Sequence, residues 1–313
     1  MSVFNAYMSL SGAIDADVIR GERLSHRTTY RIGGPAALFV CANTYEALLK
    51  TVEVLRAERV PWVVMGKGSN ILAADTGYDG CVITLGREFS RMSFAEDGRV
   101  TAGAALPLSK LVSEAMKRSL TGLEFCAGIP GTVGGAVSMD AGTRHEWVGA
   151  VIEDVVSLRP GKGLVRHAAS EVEWGYRVTS LPTTEIVLEA TFRLQPGNHD
   201  AIAHDVEERL RRRSQSQPMG RPCCGSVFRN PGSRSAAVMI EACGLKGYRV
   251  GGAVVSDVHA NFIVNDGGAH AHDVVEVMRH VHDAVRDKYE IDLQPEVKLL
   301  GFGGIGRARH GVR

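Results

Sequence analysis

The sequence lacks the features that would identify a nucleic-acid-binding, membrane or secreted protein. Its 36 lysines and arginines are balanced by 35 aspartates and glutamates, and a net charge of +1 gives no sign of binding to nucleic acid or an acidic membrane. No apolar run approaches the roughly 18 residues of a membrane-spanning helix. The segment 1–21 has no basic region and contains Asp15 and Asp17, so we predict no signal peptide.

Metal-binding and disulfide motifs are also missing. The six cysteines form no Cys-x-x-Cys pair, which favours reduced thiols in the cytoplasm. The adjacent Cys223 and Cys224 leave a vicinal disulfide or a reactive thiol open, but small buried side chains are the default interpretation. Two His-x-His pairs are present, and residues two apart on a helix point in different directions. We therefore predict solvated helix faces and no metal site for the histidines at 270, 272, 280 and 282.

Glycine is abundant instead, at 36 of 313 residues, and five glycines fall in GIPGTVGGAVSMDAG, residues 128–142. Glycine-rich turns between a strand and a helix can present main-chain amides to a phosphate. No G-x-x-x-x-G-K-[ST] motif exists, and no G-x-G-x-x-G follows the first strand, so neither a P-loop nor a Rossmann fold is predicted. The segments 66–70 (GKGSN) and 128–136 (GIPGTVGGA), preceded by 30–36 (YRIGGPA), suggest neutral loops around one diphosphate. Tight turns in a β-rich domain are the alternative.

The hydrophobic pattern predicts mixed secondary structure. Helices are predicted over 44–59, 107–119 and 271–289. A charged helix contains 205–213, and its arginine run is predicted to be a solvated face. Strands are predicted within 62–66, 151–159, 185–194, 251–256, 261–265 and 293–302. The loop 195–200, QPGNHD, is the best candidate for a domain boundary.

Seven segments, in order and with matching spacing, resemble the UDP-N-acetylenolpyruvoylglucosamine reductase family. Three lie in the first half: TTYRIGGPA, MGKGSNILAADTGYDGCVI and GLEFCAGIPGTVGGAVSMDAG. Four follow: WGYR (174–177), GSVFRNP (225–231), GLKGYRVGGAVVSDVHANFIVN (244–265) and LQPEV (293–297). The stretch after Arg177 leaves no room for the tyrosine-bearing loop inserted in some members, so the chain resembles the compact subgroup.

The resemblance implies an α+β protein that binds FAD noncovalently and uses NADPH as co-substrate. After an N-terminal segment (1–20), it implies an FAD-binding domain of the vanillyl-alcohol-oxidase (PCMH) type over 21–197, with subdomains of about 21–85 and 86–197. A C-terminal α+β substrate-binding domain (198–301) and a disordered tail (302–313) follow. A cytoplasmic monomer is implied, with no nucleic-acid or membrane partner. The residues implied to bind the cofactor are Tyr30, Arg31, Gly33, Gly66, Lys67, Gly68, Ser69, Asn70, Gly128, Ile129, Pro130, Gly131, Thr132, Gly134, Gly135 and Ala136.

The implied reaction is the reduction of the enolpyruvyl double bond of a UDP-sugar to give UDP-N-acetylmuramate, a peptidoglycan precursor. Hydride arrival at one alkene carbon leaves an enolate, which needs electrostatic stabilisation and a proton donor. By resemblance, Arg177 holds the carboxylate, Glu296 assists at the enolate and Ser226 donates the proton. Without the resemblance, these three would be interpreted as a surface arginine, a solvated strand residue and a turn serine.

Four further residues are implied to bind the substrate: Tyr176, Arg213, Arg229 and Asn230. The sequence departs from the family at Asp140, where asparagine is usual, and this puts one hydrogen bond near the flavin loop in doubt. Two other functions stay open at this stage. One is an oxidase with the same cofactor fold, and the other is a non-catalytic flavin-binding relative.

Overall fold

The structure, a computed structural model, describes residues 2–303. The expectation of a disordered tail therefore lies almost entirely outside the described residues. The chain forms two compact units, each assembled from separate segments. Within the described residues, the first unit comprises 2–20, 38–67 and 80–213, and the second comprises 21–37, 68–79 and 214–303.

Helices and strands alternate through the first half of the chain and also form most of the second half. The helices are α1 (Val3–Leu10), α2 (Tyr45–Ala57), α3 (Leu108–Lys117), α4 (Val133–Ser138), α5 (His199–Ser216), α6 (Ala236–Ala242) and α7 (Ala271–Tyr289). The strands up to residue 121 are β1 (Ala16–Arg23), β2 (Pro35–Ala42), β3 (Trp62–Val64), β4 (Ile71–Ala73), β5 (Tyr78–Leu85), β6 (Met92–Phe94), β7 (Arg99–Gly103) and β8 (Leu120–Thr121). The remaining strands are β9 (Ile152–Arg159), β10 (Gly163–Ala168), β11 (Trp174–Gly175), β12 (Val178–Thr179), β13 (Ile186–Arg193), β14 (Gln195–Pro196), β15 (Arg249–Val250), β16 (Ala253–Val255), β17 (Ile263–Asn265) and β18 (Lys298–Leu300).

The first unit has two hydrophobic cores, each between helices and a sheet. A four-stranded sheet in the order β1-β2-β5-β3 packs against α2. Thr44 caps the start of α2, because its hydroxyl accepts a hydrogen bond from the amide of Ala47 at 3.2 Å. An antiparallel five-stranded sheet in the order β10-β9-β13-β7-β6 packs against α3 and α4. Helix α3 buries Leu108, Leu111 and Val112, as the spacing predicts.

The second unit is built around α7, the three-stranded sheet β15-β16-β17 and the parallel pair β4–β18. The predicted helix over 271–289 is confirmed at both ends. Val274, Val277, Val281 and Val285 are buried, since residues three or four apart share one helix face. Glu290 ends the helix in the left-handed conformation, with φ +57°.

Two details of the sequence prediction are wrong. The predicted loop over 195–200 contains β14, which pairs with β8, and α5 begins already at His199. The predicted strand over 293–302 is reduced to β18, because residues 294–297 instead bond to the separate segment 227–229. Both errors arise from pairing between distant segments, which local patterns do not reveal.

None of the helices within residues 2–303 is both long and apolar enough to cross a membrane. Up to Arg213, α5 belongs to the first unit. The predicted limits of the functional domains stay a prediction.

Candidate active site and cofactor cradle

The two glycine-rich segments of the first unit meet at Gly66 and Thr132. A Cβ atom added to Gly66 would stand 2.7 Å from the Oγ1 atom of Thr132, so only glycine fits there without displacing that side chain. Thr132 also begins α4, because its hydroxyl accepts a hydrogen bond from the amide of Gly135 at 3.3 Å. The segments 66–70 and 128–136 are therefore in contact, although more than sixty residues separate Gly66 from Thr132.

Main-chain donors are available at this junction. Within residues 2–303, the amides of Gly66, Lys67, Gly131 and Thr132 donate no hydrogen bond to another residue. Backbone N–H groups without protein acceptors, on turns that lack bulky side chains, suit the oxygens of a diphosphate. These residues therefore fit the pyrophosphate of FAD.

The glycines of α4 have different roles. A Cβ atom on Gly134 would lie 2.8 Å from the Cβ atom of Ala104, so Gly134 permits close packing inside the protein. The nearest neighbour of a Cβ atom on Gly135 would be Thr132 Oγ1 at 3.6 Å, which leaves that side open. Gly135 is the better candidate for a ligand approaching this helix.

A second pair of predicted cofactor segments meets within the second unit. The amide of Thr29 donates to the carbonyl of Gly68 at 3.3 Å. Tyr30 is completely buried, and its hydroxyl donates to the carbonyl of Ile263 at 2.9 Å. Burial raises the pKa of this hydroxyl. The carbonyl of Tyr30 accepts from Nδ2 of Asn265 at 3.1 Å, so this buried residue offers no accessible atom to a cofactor.

The remaining predicted cofactor residues vary in exposure. Gly68, Thr132 and Ala136 are buried, and Gly68 has no space for a side chain because a Cβ atom would stand 2.5 Å from the carbonyl oxygen of Arg27. Others reach the surface or lie half-buried: Arg31, Gly33, Gly66, Lys67, Ser69, Asn70, Gly128, Ile129, Pro130, Gly131, Gly134 and Gly135.

The second unit brings Ser226 and Glu296 onto adjacent backbone segments. The amide of Glu296 donates to the carbonyl of Val227, next to Ser226, at 2.7 Å. On its other side, the carbonyl of Glu296 accepts from Nδ2 of Asn70 at 3.2 Å. Glu296 is only 8% exposed, so the interpretation as a solvated strand residue is wrong.

The substrate residues predicted beside Ser226 lie on the same segment. The amide of Arg229 donates to the carbonyl of Gln294 at 2.8 Å. Asn230 is exposed, and its Oδ1 atom accepts from the amide of Ala236 at the start of α6. Lys298, which follows the LQPEV motif directly, is an electrostatic neighbour of Arg229 and Glu296. Desolvation and the charge of Arg229 lower the pKa of its ammonium group, while the charge of Glu296 opposes them.

The first unit places Arg177 and Arg213 within electrostatic reach of one another. Burial lowers the pKa of Arg213, and the positive charges of Arg177 and Arg209 lower it further. Within residues 2–303, the side chain of Arg213 forms no ion pair or hydrogen bond. A half-buried guanidinium without an acidic partner, near a second one, is suited to bind an anion.

Arg177 itself occupies a two-residue turn between β11 and β12. Its φ of +61° is unusual for a residue other than glycine, and its guanidinium donates to the carbonyl of Gly142 at 3.3 Å. The guanidinium lies 5.3 Å from the ring centre of the exposed Tyr176. The turn and these contacts fix the direction of the Arg177 side chain.

Asp140 lies close to Arg177 and retains the acceptor that an asparagine would supply. Its Oδ1 atom accepts from the amide of Gly149 at 2.9 Å. Asp140 adopts a φ of +40°, in the left-handed region that Asn and Asp tolerate best among larger residues. Burial raises the pKa of its carboxyl, against the lowering effects of the Gly149 amide and the Arg177 charge.

The cysteines and histidines have structural contacts. All six cysteines are free thiols, and burial raises the pKa of both Cys223 and Cys224. Cys224 is buried, as the interpretation as a small buried side chain expects, whereas Cys223 is half-buried. His280 stacks on Tyr248 with ring centres 4.0 Å apart, and His282 contacts Asp283 at 3.0 Å. Among the described residues, no group of three or more side chains could hold a metal ion.

Comparisons with known proteins agree with this geometry. Residues 36–160 match the model of an FAD binding domain, and residues 217–300 match the C-terminal domain of UDP-N-acetylenolpyruvoylglucosamine reductase. The reductase of Anoxybacillus flavithermus is 41% identical over 91% of this chain and 94% of its own length, and that of Bacillus subtilis is 37% identical over 91% and 94%. The crystal structure of the Thermus caldophilus reductase has a TM-score of 0.79 and 36% identity, covering 92% of this chain and 99% of that one.

The fold and these matches define an FAD-dependent oxidoreductase. This confirms the predicted α+β fold class and the FAD cofactor. The chain belongs to the UDP-N-acetylenolpyruvoylglucosamine reductase family.

Proposed function

We propose that this chain uses NADPH and noncovalently bound FAD to reduce UDP-N-acetylglucosamine enolpyruvate to UDP-N-acetylmuramate. In this proposal the chain acts as a monomer in the cytoplasm, where it contributes to the synthesis of peptidoglycan precursors. One observation supports it most. The buried carboxyl-bearing residue Glu296 is bonded through its main chain to the residue that follows Ser226, the proposed proton donor.

Binding of the anionic substrate is assigned to the arginines of the first unit. Arg177 is proposed to hold the enolpyruvyl carboxylate with two parallel hydrogen bonds, because a guanidinium matches the geometry of a carboxylate. Arg213 is proposed to bind a phosphate oxygen. Its lack of an acidic partner among the described residues supports this assignment.

Proton delivery is assigned to the second unit. FAD supplies the hydride chemistry when it is bound. As one alkene carbon of the substrate gains hydride, the other gains negative charge, which is delocalised into the carboxylate. Ser226 is proposed to donate its hydroxyl proton to that carbon and to recover a proton from solvent. Glu296 is proposed to hydrogen-bond the developing enolate when its carboxyl carries a proton.

An anaerobic stopped-flow experiment tests this function. NADPH should bleach the flavin absorbance, and the enolpyruvyl UDP-sugar should then restore it, with one UDP-N-acetylmuramate formed per flavin. If the substrate fails to restore the absorbance and molecular oxygen does so rapidly, the chain is an oxidase. If NADPH does not bleach the flavin and no product forms, the chain is a non-catalytic flavin-binding protein.

A further inference from the structure

We propose that Asn261 is a positioning residue that fixes the distance between Ser226 and Glu296. The inference deepens the proposed function and rests on it for its kinetic readout. Asn261 lies between β16 and β17 of the second unit and is only 4% exposed. Neither its position nor its residue type marked it as functional in the sequence.

Asn261 makes three hydrogen bonds to the two residues that follow Ser226. Its Oδ1 atom accepts from the amide of Phe228 at 3.0 Å, and its Nδ2 atom donates to the carbonyl of Phe228 at 2.8 Å. Its own carbonyl accepts from the amide of Val227 at 2.9 Å. The side-chain amide thus binds both polar main-chain groups of Phe228, as a neighbouring strand would.

The opposite edge of the same segment holds Glu296. The carbonyl of Val227 accepts from the amide of Glu296 at 2.7 Å, and the amide of Arg229 donates to the carbonyl of Gln294 at 2.8 Å. Residues 227–229 are therefore clamped between Asn261 and the segment 294–296. If the bonds to Asn261 were lost, residues 227–229 could shift. Ser226 would then move relative to Glu296, because the hydrogen bond between the Glu296 amide and the Val227 carbonyl connects their two segments.

The position of Asn261 is itself well defined. Its amide donates to Nδ1 of His259 at 3.3 Å, and β17 begins two residues later. The hydroxyl of the buried Ser256 accepts from the amides of Val258 and His259, which closes the turn before Asn261. These hydrogen bonds fix the turn over residues 256–261 and so hold the Asn261 side chain against Phe228.

The chemistry of the contact restricts the residue type. Phe228 is buried and offers one donor and one acceptor, and a carboxamide supplies the complementary pair. An ionised aspartate would still accept from the amide but would face the carbonyl with negative charge. A neutral carboxylic acid restores both bonds, because its hydroxyl can donate to the carbonyl.

The test uses Asn261→Asp and Asn261→Ala in the full-length, FAD-bound chain. As a control, Thr51→Val in the first unit removes one buried hydrogen bond, from the Thr51 hydroxyl to the carbonyl of Ala47. We expect both Asn261 variants to slow flavin reoxidation by the enolpyruvyl UDP-sugar about 10- to 100-fold at pH 8, while reduction by NADPH stays within about twofold. Thr51→Val should leave both half-reactions within about twofold of the wild type.

Acid rescue separates positioning from general loss of structure. Relative to the wild type at each pH, the reoxidation rate of Asn261→Asp should recover as the pH falls through the pKa of the new carboxyl. Asn261→Ala should show no recovery. Equal slowing of both half-reactions, or a wild-type reoxidation rate in Asn261→Asp at pH 8, would overturn the proposal.

Hydrogen exchange gives a readout that does not depend on the reaction. Both variants should accelerate exchange of the amides of Val227, Phe228 and Glu296 about tenfold or more, with α7 unchanged. Unchanged exchange at these amides refutes the inference even if the wild type proves to have another activity. If the wild type does not reduce the enolpyruvyl UDP-sugar but exchange changes as expected, the proposed function fails and the clamp stands.

Discussion

Gly128 and the side chain of Arg213 are in direct contact, since a Cβ atom added to Gly128 would stand 2.7 Å from Cδ of Arg213. The aliphatic part of Arg213 therefore covers the first glycine of the cradle segment, while its guanidinium has no acidic partner within residues 2–303. The preceding Arg212 is exposed and pairs with Glu208 at 2.8 Å. The prediction of a solvated arginine face holds for Arg212 but not for the half-buried Arg213.

Arg213→Met should weaken substrate binding and leave the fold intact, because methionine keeps most of the packing and removes the charge. We expect the dissociation constant of the UDP-sugar to rise about 10- to 150-fold, the equivalent of a charge-assisted hydrogen bond of about 1.5–3 kcal/mol. Flavin content should not change. Arg212→Met is the matched control on the same helix and should bind the UDP-sugar as the wild type does. Equal affinities of the two variants would remove Arg213 from the site.

Gly135→Ala should reduce the affinity for FAD without destabilising the apoprotein. A methyl group would meet no atom closer than 3.6 Å, and alanine is favoured over glycine in a helix by about 1 kcal/mol. Gly134→Ala should instead lower the free energy of unfolding by about 1–3 kcal/mol, since its methyl group would press on Ala104. Urea unfolding of the apoproteins and titration with FAD, followed by flavin fluorescence, measure both effects. Unchanged FAD affinity in Gly135→Ala would contradict the assigned cradle.

Ser226→Ala should separate the two half-reactions. Flavin reduction by NADPH should stay within about twofold of the wild type, while formation of UDP-N-acetylmuramate should fall about 10²- to 10⁴-fold, as expected for loss of a general acid. Ser235→Ala is the control, because the Ser235 hydroxyl only caps α6. Anaerobic stopped-flow absorbance and product analysis give the two rates. Normal turnover of Ser226→Ala would show that another group donates the proton.

Asp140→Asn should become more stable relative to the wild type as the pH rises from about 4 to about 7. Burial raises the pKa of Asp140 above its ordinary value of 3.8. The folded wild type is therefore favoured while this carboxyl is neutral, and it loses that stabilisation as the pH rises through the folded-state pKa. Asparagine keeps the acceptor for the Gly149 amide and does not titrate. Urea unfolding across this pH range measures the difference.

Asp97→Asn provides a control of opposite sign for that measurement. The main-chain amide of Arg99 lowers the pKa of Asp97, with the Arg99 charge also contributing. Ionised Asp97 therefore favours the folded state above its unfolded pKa, and its asparagine variant should lose stability relative to the wild type as the pH rises. The same trend in both variants would contradict the assigned cause of the Asp140 shift.

Elements with a strong local pattern were predictable from the sequence. Both ends of the helix over 271–289 were predictable because its apolar residues repeat at helical spacing. The structure buries four of its valines on the side that this spacing predicts. The meeting of residues 66–70 with residues 128–136 was also anticipated, since glycine-rich neutral turns suggested a shared ligand. The contact of Gly66 with Thr132 supplies the geometry that the sequence left open.

The pairing of Ser226 with Glu296 could not be derived from local patterns. The two residues are separated by 70 positions, and they adjoin through main-chain bonds that any residue type can make. For the same reason Asn261 gave no signal, because its role depends on which backbone its amide faces. Glu296 alone would have been interpreted as solvated, since burial of a carboxyl depends on segments far away in the chain.

The parallel pairing of β4 with β18 has a consequence for the order in which the protein can fold. Residues 71–73 are synthesised early, but their strand partner, residues 298–300, is made more than two hundred residues later. Until the ribosome releases that partner, the edge of β4 is unpaired and exposed to intermolecular association. Nascent chains arrested before Lys298 should therefore require chaperone protection that chains released after Leu300 do not.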